Sequence, residues 1–272
     1  MKEIYSLSKE PLISVVVVHL NSGNLLEKTI NSLLSQDSQN FEILIKDGHS
    51  TDSSLDFLNK VSLSHLRLVK MHDTGIYHAM NQAIDLSIGK YVWFINAGDV
   101  ILGNDGISKV HLEIKKENYI VLFYCSCTFS GKNYTRESPK KFSKLYLFRT
   151  ALNHQCQIWS RKAFSQKKFD NEYSVLADYE FLLRHVLSNN LTAKKIRNLK
   201  VGYAGNGYSE KEEMQERISN EREKIRKRYF NYYEHFIYSI LNDSVLLLKY
   251  FAENLPMIRF INKKINPFKR YH

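Results

Sequence analysis

The stretch from Lys70 to Asp99 limits the possible folds more than any other part of the chain. It reads KMHDTGIYHAMNQAIDLSIGKYVWFINAGD. Apolar residues recur at spacings of three and four between Ile76 and Ile88, which predicts a helix with one buried face. Gly89 is expected to end this helix, and the apolar run over residues 91–95 is typical of a buried strand. Asp99 therefore follows the carboxyl end of a strand, the edge at which open α/β sheets bind ligands.

Strands and helices alternate through the first hundred residues. Apolar runs predict strands over residues 13–18, 41–45 and 66–69, and the second helix is expected over residues 51–61. The first helix begins near Asn24 and Glu27, whose side chains are expected to form a reciprocal cap. This alternation predicts a parallel sheet with right-handed crossovers, so that the loops after the strands meet at one edge.

The composition fits one large domain, or one domain with an extension. The chain has 272 residues, of which 43% are hydrophobic, and its formal charge is +11. This charge favours anionic partners such as nucleotide phosphates, nucleic acid or an acidic membrane surface. The turn HLNSGN lacks the glycine pattern of a nicotinamide oxidoreductase. Nucleic acid is not an expected partner, because no binding motif is visible and the basic residues lie mainly in the terminal tail.

The cysteines and the apolar segments bear on the cellular location. Three cysteines, Cys125, Cys127 and Cys156, do not make a disulfide framework. Together with His154 they could form a zinc site, although structural zinc sites separate paired ligands by about two to four residues. The alternative is reduced thiols in a cytosolic core. Residues 1–11 lack the apolar run of a signal peptide, and no segment looks long and apolar enough to span a membrane, so a cytoplasmic location is expected.

Three loops are predicted to converge at the edge of the sheet. They cover residues 19–23, 46–52 and 96–100, and each follows a predicted strand. In the second loop, KDGHSTD, Asp47 is expected to contact a nucleotide base or ribose. Asp52 could contact the nucleotide as well, or it could cap the helix that follows.

Four segments in this order resemble the family 2 glycosyltransferases. They are SVVVVHLNSGNLLEKTINSLLSQ, FEILIKDGHSTDSS, DTGIYHAMNQAI and YVWFINAGD, within residues 11–102, and NHQCQIWSRKAF and FDNEYSVLADYEFLLR continue the resemblance to about residue 188. The resemblance implies an α/β fold of the GT-A type, a Rossmann-like mixed sheet flanked by helices, with a C-terminal helical extension. It divides the chain into a nucleotide-sugar-binding half (1–102), an acceptor-binding half (103–209) and a basic, amphipathic helical extension (210–272).

The resemblance implies transfer of a sugar, with inversion, from a nucleotide-diphosphate sugar to a hydroxyl of a glycan acceptor. A divalent cation, Mn²⁺ or Mg²⁺, would compensate the charge of the leaving diphosphate. Asp99 matches the last acidic residue of the family's metal motif, with a turn cap as its alternative. Asn96 stands where many members have aspartate, and it offers an oxygen but no charge, which predicts weaker metal binding in the free enzyme.

Seven residues are expected to bind the nucleotide sugar, which is predicted to be UDP-linked. They are His19, Asn21, Asp47, Asp73, Asn81, Asn96 and Ala97. For Asp73, an alternative role as the cap of the helix after Gly75 is left open. Lys46 and His78 depart from the acidic residues that are common at these positions.

On the acceptor side, the resemblance identifies Asp178, in ADYEFLLR, as the catalytic base, with Glu180 in reserve. Asp178 could instead be an ordinary acidic residue at a helix start. Acceptor binding is expected from His154, Gln155 and Trp159. His154 could also be a core histidine, and Trp159 could be packed in the core rather than stacked on a sugar.

The last sixty residues carry charged and aromatic helical segments followed by a basic tail. They could lie on an anionic bilayer surface, or pack on the catalytic domain or on a second subunit. A membrane location would suit an acceptor on a polyprenyl diphosphate, as in bacterial O antigen, capsule or exopolysaccharide synthesis. The competing hypothesis is a non-catalytic protein that keeps the fold and binds a nucleotide sugar or a glycan, which Asn96 makes conceivable.

Overall fold

A computed structural model describes residues 11–61, 65–114, 121–129, 134–188, 191–205 and 212–242. The apolar segment beyond residue 242 and the basic tail lie outside the described residues. The strands are β1 (Ile13–His19), β2 (Glu42–Asp47), β3 (Leu66–Lys70), β4 (Tyr91–Phe94), β5 (Val100–Ile101), β6 (Val121–Phe129), β7 (Tyr134–Arg136), β8 (Gln157–Ser160) and β9 (Thr192–Tyr203). The α-helices are α1 (Leu25–Leu34), α2 (Ile76–Leu86), α3 (Gly106–Ile114), α4 (Lys144–Arg149), α5 (Ala177–Leu187) and α6 (Glu212–Tyr229).

One mixed sheet organises the described residues. Its strand order is β3-β2-β1-β4-β8-β6-β9-β5, and β7 pairs with β6. The first four strands are parallel, as the alternation predicts, whereas β8 runs antiparallel to both β4 and β6. The sheet is therefore mixed, with helices flanking it, as the predicted α/β class requires.

Helices α1 and α2 bury their apolar faces against the parallel strands. Every residue of β1 and β2 is buried, and the most deeply buried residues of the two helices are Leu26, Ile30, Leu33, Met80 and Ala83. Gly89, between α2 and β4, passes so close to β1 that a Cβ atom there would lie 2.4 Å from the Ser14 backbone nitrogen. Glycine is thus needed for α2 and β4 to pack closely on β1.

Two details of the sequence prediction change. The second predicted helix is a 3₁₀ helix, Ser53–Lys60, with Asp52 as its N-cap: the Asp52 carboxylate accepts from the Ser54 backbone nitrogen at 3.1 Å. The predicted reciprocal cap of α1 is wrong, because Asn24 has a helical backbone and its side chain makes no capping hydrogen bond. Instead, the Leu25 backbone nitrogen donates to the Ser22 carbonyl oxygen at 3.1 Å.

Helix α6 packs on the rest of the domain rather than standing apart. Ile225 is fully buried, and the Arg226 guanidinium donates to the Phe148 carbonyl oxygen at 2.6 and 2.9 Å. These contacts favour the packing alternative for this part of the predicted extension. Within the part of the chain that the structure describes, no helix combines the length and apolar character needed to cross a bilayer.

Candidate active site

Two cavities adjoin at the edge of the sheet where the loops after β1, β3 and β4 meet. The first cavity, of about 630 Å³, is lined mainly by the loop after β1, the start of α2 and residues 171–174. The second cavity, of about 540 Å³, is lined by residues 153–155, the start of α5 and one side of α6. Five residues line both cavities and are called the shared wall: Ile76, Tyr77, Asn96, Ala97 and Ser174.

Asp178 lies on the second cavity, in the first turn of α5. Its Oδ1 atom is 2.8 Å from the Tyr77 hydroxyl and accepts from the Tyr179 backbone nitrogen at 2.8 Å. Burial, together with the negative charge of Asp178, raises the pKa of Tyr77 well above its usual value. The Tyr77 hydroxyl therefore stays protonated, and its one proton can be donated either to the carboxylate or to the Val175 carbonyl oxygen at 2.7 Å.

His154 connects Asp178 to the loop after β4. Its Nε2 atom is 3.0 Å from Asn96 Nδ2, and its Nδ1 atom is 3.5 Å from Asp178 Oδ2. Because Asn96 Nδ2 can only donate, the Nε2 atom accepts, which places the proton of a neutral His154 on Nδ1, facing Asp178. The three side chains thus link the shared wall to the start of α5.

Asp99 lies in a turn that α1 holds in place. The Thr29 hydroxyl donates to the Asp99 carbonyl oxygen at 2.8 Å and accepts from the Gly98 backbone nitrogen at 2.8 Å. The Asp99 carboxylate is almost fully buried, and its Oδ1 accepts from the Ala204 backbone nitrogen at 3.0 Å. Burial raises the pKa of Asp99 to about 6. The structure places Asp99 on the second cavity together with Asp178, as the predicted mechanism requires.

The same loop provides two oxygens that suit a divalent cation. The Asn96 Oδ1 atom is buried without a hydrogen-bond partner, and Asp99 contributes a carboxylate. Among the described residues, no group of three or more His, Cys, Asp or Glu side chains could hold a metal ion alone. Protein sites for Mg²⁺ commonly use one or two carboxylates and leave the remaining positions to substrate phosphates and water. Asp99 and Asn96 fit a cation of this kind.

Glu221, on α6, fixes the start of α5 and therefore the position of Asp178. Its carboxylate accepts from three successive backbone nitrogens, those of Ser174, Val175 and Leu176, at 2.7, 3.0 and 2.9 Å. A carboxylate at this end of a helix also interacts favourably with the helix dipole. The sequence analysis missed Glu221 because it is one of several charged residues in the run EREKIRKR. Tyr77 was missed as well, since it looks like an ordinary residue of an amphipathic helix.

Four of the seven residues predicted to bind the donor line the first cavity: His19, Asp73, Asn96 and Ala97. Burial lowers the pKa of His19, so its imidazole is neutral at pH 7. Asp73 forms an ion pair with the fully buried Lys46 and also accepts from the Gly75 backbone nitrogen at 3.2 Å. Asp73 thus lies on the cavity wall and supports the turn before α2, but it does not cap this helix, whose N-cap is Gly75 with no side-chain capping bond.

The structure brings the other three predicted donor residues to neither cavity. Asp47 is fully buried, and its carboxylate accepts from the Ser50 backbone nitrogen at 3.0 Å. Asn21 accepts from the Thr51 backbone nitrogen at 2.8 Å, and the Asn81 amide bonds the backbone of Phe169 at 3.0 and 2.9 Å. In the structure these side chains connect neighbouring loops.

The predicted acceptor residues have different outcomes. His154 and Gln155 line the second cavity, and the buried Gln155 Nε2 atom has no hydrogen-bond partner. The prediction that Trp159 binds the acceptor is wrong. Trp159 is only 2% exposed, its ring packs edge-on against Phe181 and it lines neither cavity, so it cannot stack on a sugar. Glu180, the reserve base, is fully buried and bonded to Arg184 and Tyr229.

The three cysteines are free and buried. Neighbouring thiols and burial raise the pKa of Cys127 and of Cys156, so both remain protonated. Zinc binds the thiolate form, and the described residues contain no suitable cluster of ligands. The structure therefore favours reduced core thiols over the zinc site.

Comparisons with known proteins show the family of this chain. The family model described as "Glycosyl transferase family 2" matches residues 14–172, which is more than half of the chain. A PGL/p-HBAD biosynthesis glycosyltransferase of Mycobacterium tuberculosis is 30% identical over 179 residues, covering 64% of this chain and 69% of the relative. The Escherichia coli UDP-Glc:alpha-D-GlcNAc-diphosphoundecaprenol beta-1,3-glucosyltransferase WfaP is 30% identical over 101 residues, covering 37% of this chain and 40% of WfaP.

Solved structures share the fold at low sequence identity. S. aureus TarS in complex with UDP-GlcNAc has a TM-score of 0.63 at 18% identity, covering 89% of this chain and 76% of that one. The mannosyltransferase PcManGT from Pyrobaculum calidifontis, in complex with GDP-Man and Mn²⁺, has a TM-score of 0.56 at 17% identity, covering 74% and 59%. With the GT-A fold and the extent of the family match, the chain belongs to the family 2 glycosyltransferases.

Proposed function

We propose that this glycosyltransferase moves a sugar, with inversion at the anomeric carbon, from a UDP-linked donor to a hydroxyl of a lipid-linked glycan acceptor. The observation that carries the proposal is the shared wall between the two cavities. A donor in the first cavity and an acceptor in the second would meet at Tyr77, Asn96 and Ala97. The acceptor hydroxyl would then approach the anomeric carbon from the side on which Asp178 lies.

Asp178 acts as the general base in this proposal. A sugar hydroxyl attacks poorly until its proton is removed, and a positioned carboxylate contributes about 10²- to 10⁴-fold. The Tyr77 hydroxyl and His154 Nδ1, at 2.8 and 3.5 Å from the carboxylate oxygens, orient Asp178. The unpartnered Nε2 atom of Gln155 is available to donate to an acceptor hydroxyl.

Asp99 and Asn96 would hold the cation at the loop after β4. When bound, Mn²⁺ or Mg²⁺ serves as a Lewis acid that compensates the charge of the leaving diphosphate. Asp73 lines the first cavity and would contact the donor, held in place by Lys46. The His19 imidazole is fully buried, with Nδ1 3.1 Å from the Ser22 hydroxyl and Nε2 3.4 Å from Asp47 Oδ1, so it would support the loop that forms this wall.

The substrate classes are drawn from the relatives. WfaP is named for a UDP-glucose donor and a diphosphoundecaprenol-linked acceptor, and TarS was solved with UDP-GlcNAc. For this chain we therefore propose transfer of a hexosyl or N-acetylhexosaminyl group to a polyprenyl-diphosphate-linked glycan. Such a reaction belongs to bacterial polysaccharide synthesis, of O antigen, capsule or exopolysaccharide.

Screening donors for thermal stabilisation tests the proposal directly. UDP, GDP and dTDP sugars would be added with and without Mn²⁺, and a UDP sugar should raise the unfolding temperature most when the metal is present. Stabilisation by a GDP or dTDP sugar alone would refute the UDP assignment. The stabilising donor would then be assayed for metal-dependent hydrolysis in the absence of an acceptor. Stabilisation without any hydrolysis would favour the non-catalytic binding alternative.

A lipid-linked acceptor would require the enzyme to work at a membrane, and we propose that it attaches peripherally to the cytoplasmic face. The helical residues 232–242 expose several large apolar side chains, namely Tyr232, Tyr233, Phe236, Ile237, Ile240 and Leu241. These side chains follow the basic last turns of α6, residues 224–228, and apolar side chains beside basic ones are typical of a segment that lies on an anionic bilayer. Dimerisation through the same helices is the alternative, and size-exclusion chromatography would distinguish the two.

A further inference from the structure

Two arginines line the second cavity without a carboxylate partner. Arg136 is the last residue of β7, and Arg222 lies on α6. Neither guanidinium forms an ion pair with any residue that the structure describes, although Arg136 lies over the Phe129 ring at 5.4 Å from its centroid. Arg226, one turn further along α6, differs, because its guanidinium is occupied by the Phe148 carbonyl oxygen and lies over the Phe148 ring.

These positive charges also affect one another. Burial, followed by the charges of Arg226 and Arg136, lowers the pKa of Arg222. A partly buried guanidinium such as that of Arg222, close to other positive charges, destabilises the protein unless an anion compensates it. Since Arg226 is already engaged, the donors of Arg136 and Arg222 are the ones available at the cavity. The geometry therefore favours an anionic ligand at this end of the second cavity.

The position of the arginines indicates which anion it is. They line the second cavity but not the first, whereas a donor in the first cavity would place its own diphosphate at the shared wall, beside the proposed cation ligand Asn96. A glycosyl acceptor that carries a diphosphate has two ends to be recognised, a hydroxyl and an anion. With the hydroxyl at Asp178, the diphosphate would lie at the other end of the second cavity. Phe129, Tyr203 and Ile218 line this cavity too and could contact the sugar or the first part of a lipid.

We propose that Arg136 and Arg222 form an acceptor-side anion site that binds the diphosphate of a diphosphate-linked glycosyl acceptor. A planar guanidinium matches two phosphate oxygens with two parallel hydrogen bonds, and it keeps its charge at any physiological pH. This inference rests on the proposed function and makes its acceptor more specific. It assigns the selection of a diphosphate-linked acceptor, over an uncharged glycoside, to two residues outside the reaction centre.

Calorimetric titration with geranyl diphosphate tests the site, with UDP and Mg²⁺ saturating so that the first cavity is filled. Geraniol is the uncharged control ligand. Arg136→Gln and Arg222→Gln should each weaken the binding of geranyl diphosphate by about tenfold, the loss of one charge-assisted hydrogen-bonding group. Arg222→Lys should recover only part of the affinity, because lysine restores the charge without the two parallel N–H donors of a guanidinium. Geraniol should not bind measurably.

Lys227→Gln is the matched control variant. Lys227 lies on the same helix, lines neither cavity and is highly exposed, so this variant changes the net charge equally without touching the site. It should bind geranyl diphosphate as the wild type does. Wild-type affinity in both arginine variants, or an equal loss in Lys227→Gln, would overturn the proposal. Arg136 is exposed at a strand end, so its variant should stay folded even if Arg222→Gln does not.

The titration also separates this inference from the proposed function. If UDP competes with geranyl diphosphate, the arginines bind the donor diphosphate and the acceptor-side site is refuted. If UDP itself does not bind, the proposed donor is wrong. The comparison of arginine variants with Lys227→Gln can then be made without UDP, and it still decides whether Arg136 and Arg222 bind a diphosphate.

Discussion

The two cavities are built in different ways. The first cavity takes most of its wall from two short segments, the loop after β1 and the start of α2, which both follow strands of the parallel half. The second cavity is assembled from segments far apart in the chain: the loop after β4, residues 153–155, the start of α5 and α6. Donor binding should therefore depend on local structure, and turnover on the packing of distant elements.

The largest expected effect separates turnover from donor binding. Asp178→Asn keeps the shape of the side chain but removes the base, so the turnover number should fall by about 10²- to 10⁴-fold. The donor affinity should stay close to that of the wild type, because Asp178 does not line the first cavity. Steady-state kinetics and a donor titration measure the two quantities. A variant with wild-type turnover would remove Asp178 from the mechanism.

The second-largest expected effect, that of Glu221→Gln, tests whether α6 holds the wall of the second cavity in place. Glu221→Gln leaves only one oxygen to accept from the backbone nitrogens of Ser174, Val175 and Leu176. We expect the free energy of unfolding to fall by about 2–3 kcal/mol, since hydrogen bonds to a charged group are lost. Turnover should fall more than donor affinity, because Asp178 loses its positioning. Chemical denaturation and kinetics provide the measurements.

Glu223→Gln is the control for Glu221→Gln. Glu223 lies on the same helix, and its carboxylate pairs with Lys227 and His235 near the surface. Its replacement should change the stability by less than about 0.5 kcal/mol. Equal destabilisation by both substitutions would mean that α6 does not act through the start of α5.

The third prediction concerns Asp99, beside the shared wall. Because burial raises its folded-state pKa to about 6 from the unfolded value of 3.8, the folded protein binds more protons between these two pH values. Stability of the metal-free protein should therefore decrease as pH rises from about 4 to 6, by on the order of 2 kcal/mol.

Asp99→Asn checks this pH dependence. The variant should be more stable than the wild type at pH 8 and similar to it near pH 4, as measured by denaturation of the metal-free protein. It should also weaken Mn²⁺-dependent donor binding, whereas an unchanged donor affinity across a manganese titration would contradict the metal role. If stability differs equally at both pH values, burial of the ionised Asp99 is not the cause.

The smallest expected effect is on membrane binding, and it concerns exposed apolar side chains outside both cavities. Replacing Tyr232, Tyr233, Phe236 and Ile237 by serine keeps Glu221 and α6 intact while it removes the exposed apolar side chains. Binding to anionic vesicles should weaken by about tenfold, equivalent to about 1.4 kcal/mol. Co-sedimentation measures the bound fraction, and unchanged donor hydrolysis verifies that the active site is intact. Undiminished vesicle binding would exclude this surface as the anchor.

Local patterns were sufficient for the parallel half of the fold and for part of the first cavity. The spacing of apolar residues in α2 and the branched runs of β1 and β2 are consequences of burial against one sheet, so they are visible in the sequence. The same reasoning placed Asp99 and Asn96 after a strand end. It did not show that Asn21, Asp47 and Asn81 accept hydrogen bonds from loop backbone nitrogens, because these partners depend on how the loops pack.

By itself, the sequence determined the fold class, the strand-end loops and, through the resemblance, the candidate residues Asp99 and Asp178. Only the tertiary structure decided that both carboxylates line one cavity, that Glu221 fixes the start of α5, and that Arg136 and Arg222 line the same cavity with no carboxylate partner among the described residues. The physical reason is the distance along the chain over which each kind of signal acts. Periodicity records which face of an element is buried, whereas charge pairing and helix capping between distant segments depend on which elements the complete fold brings into contact.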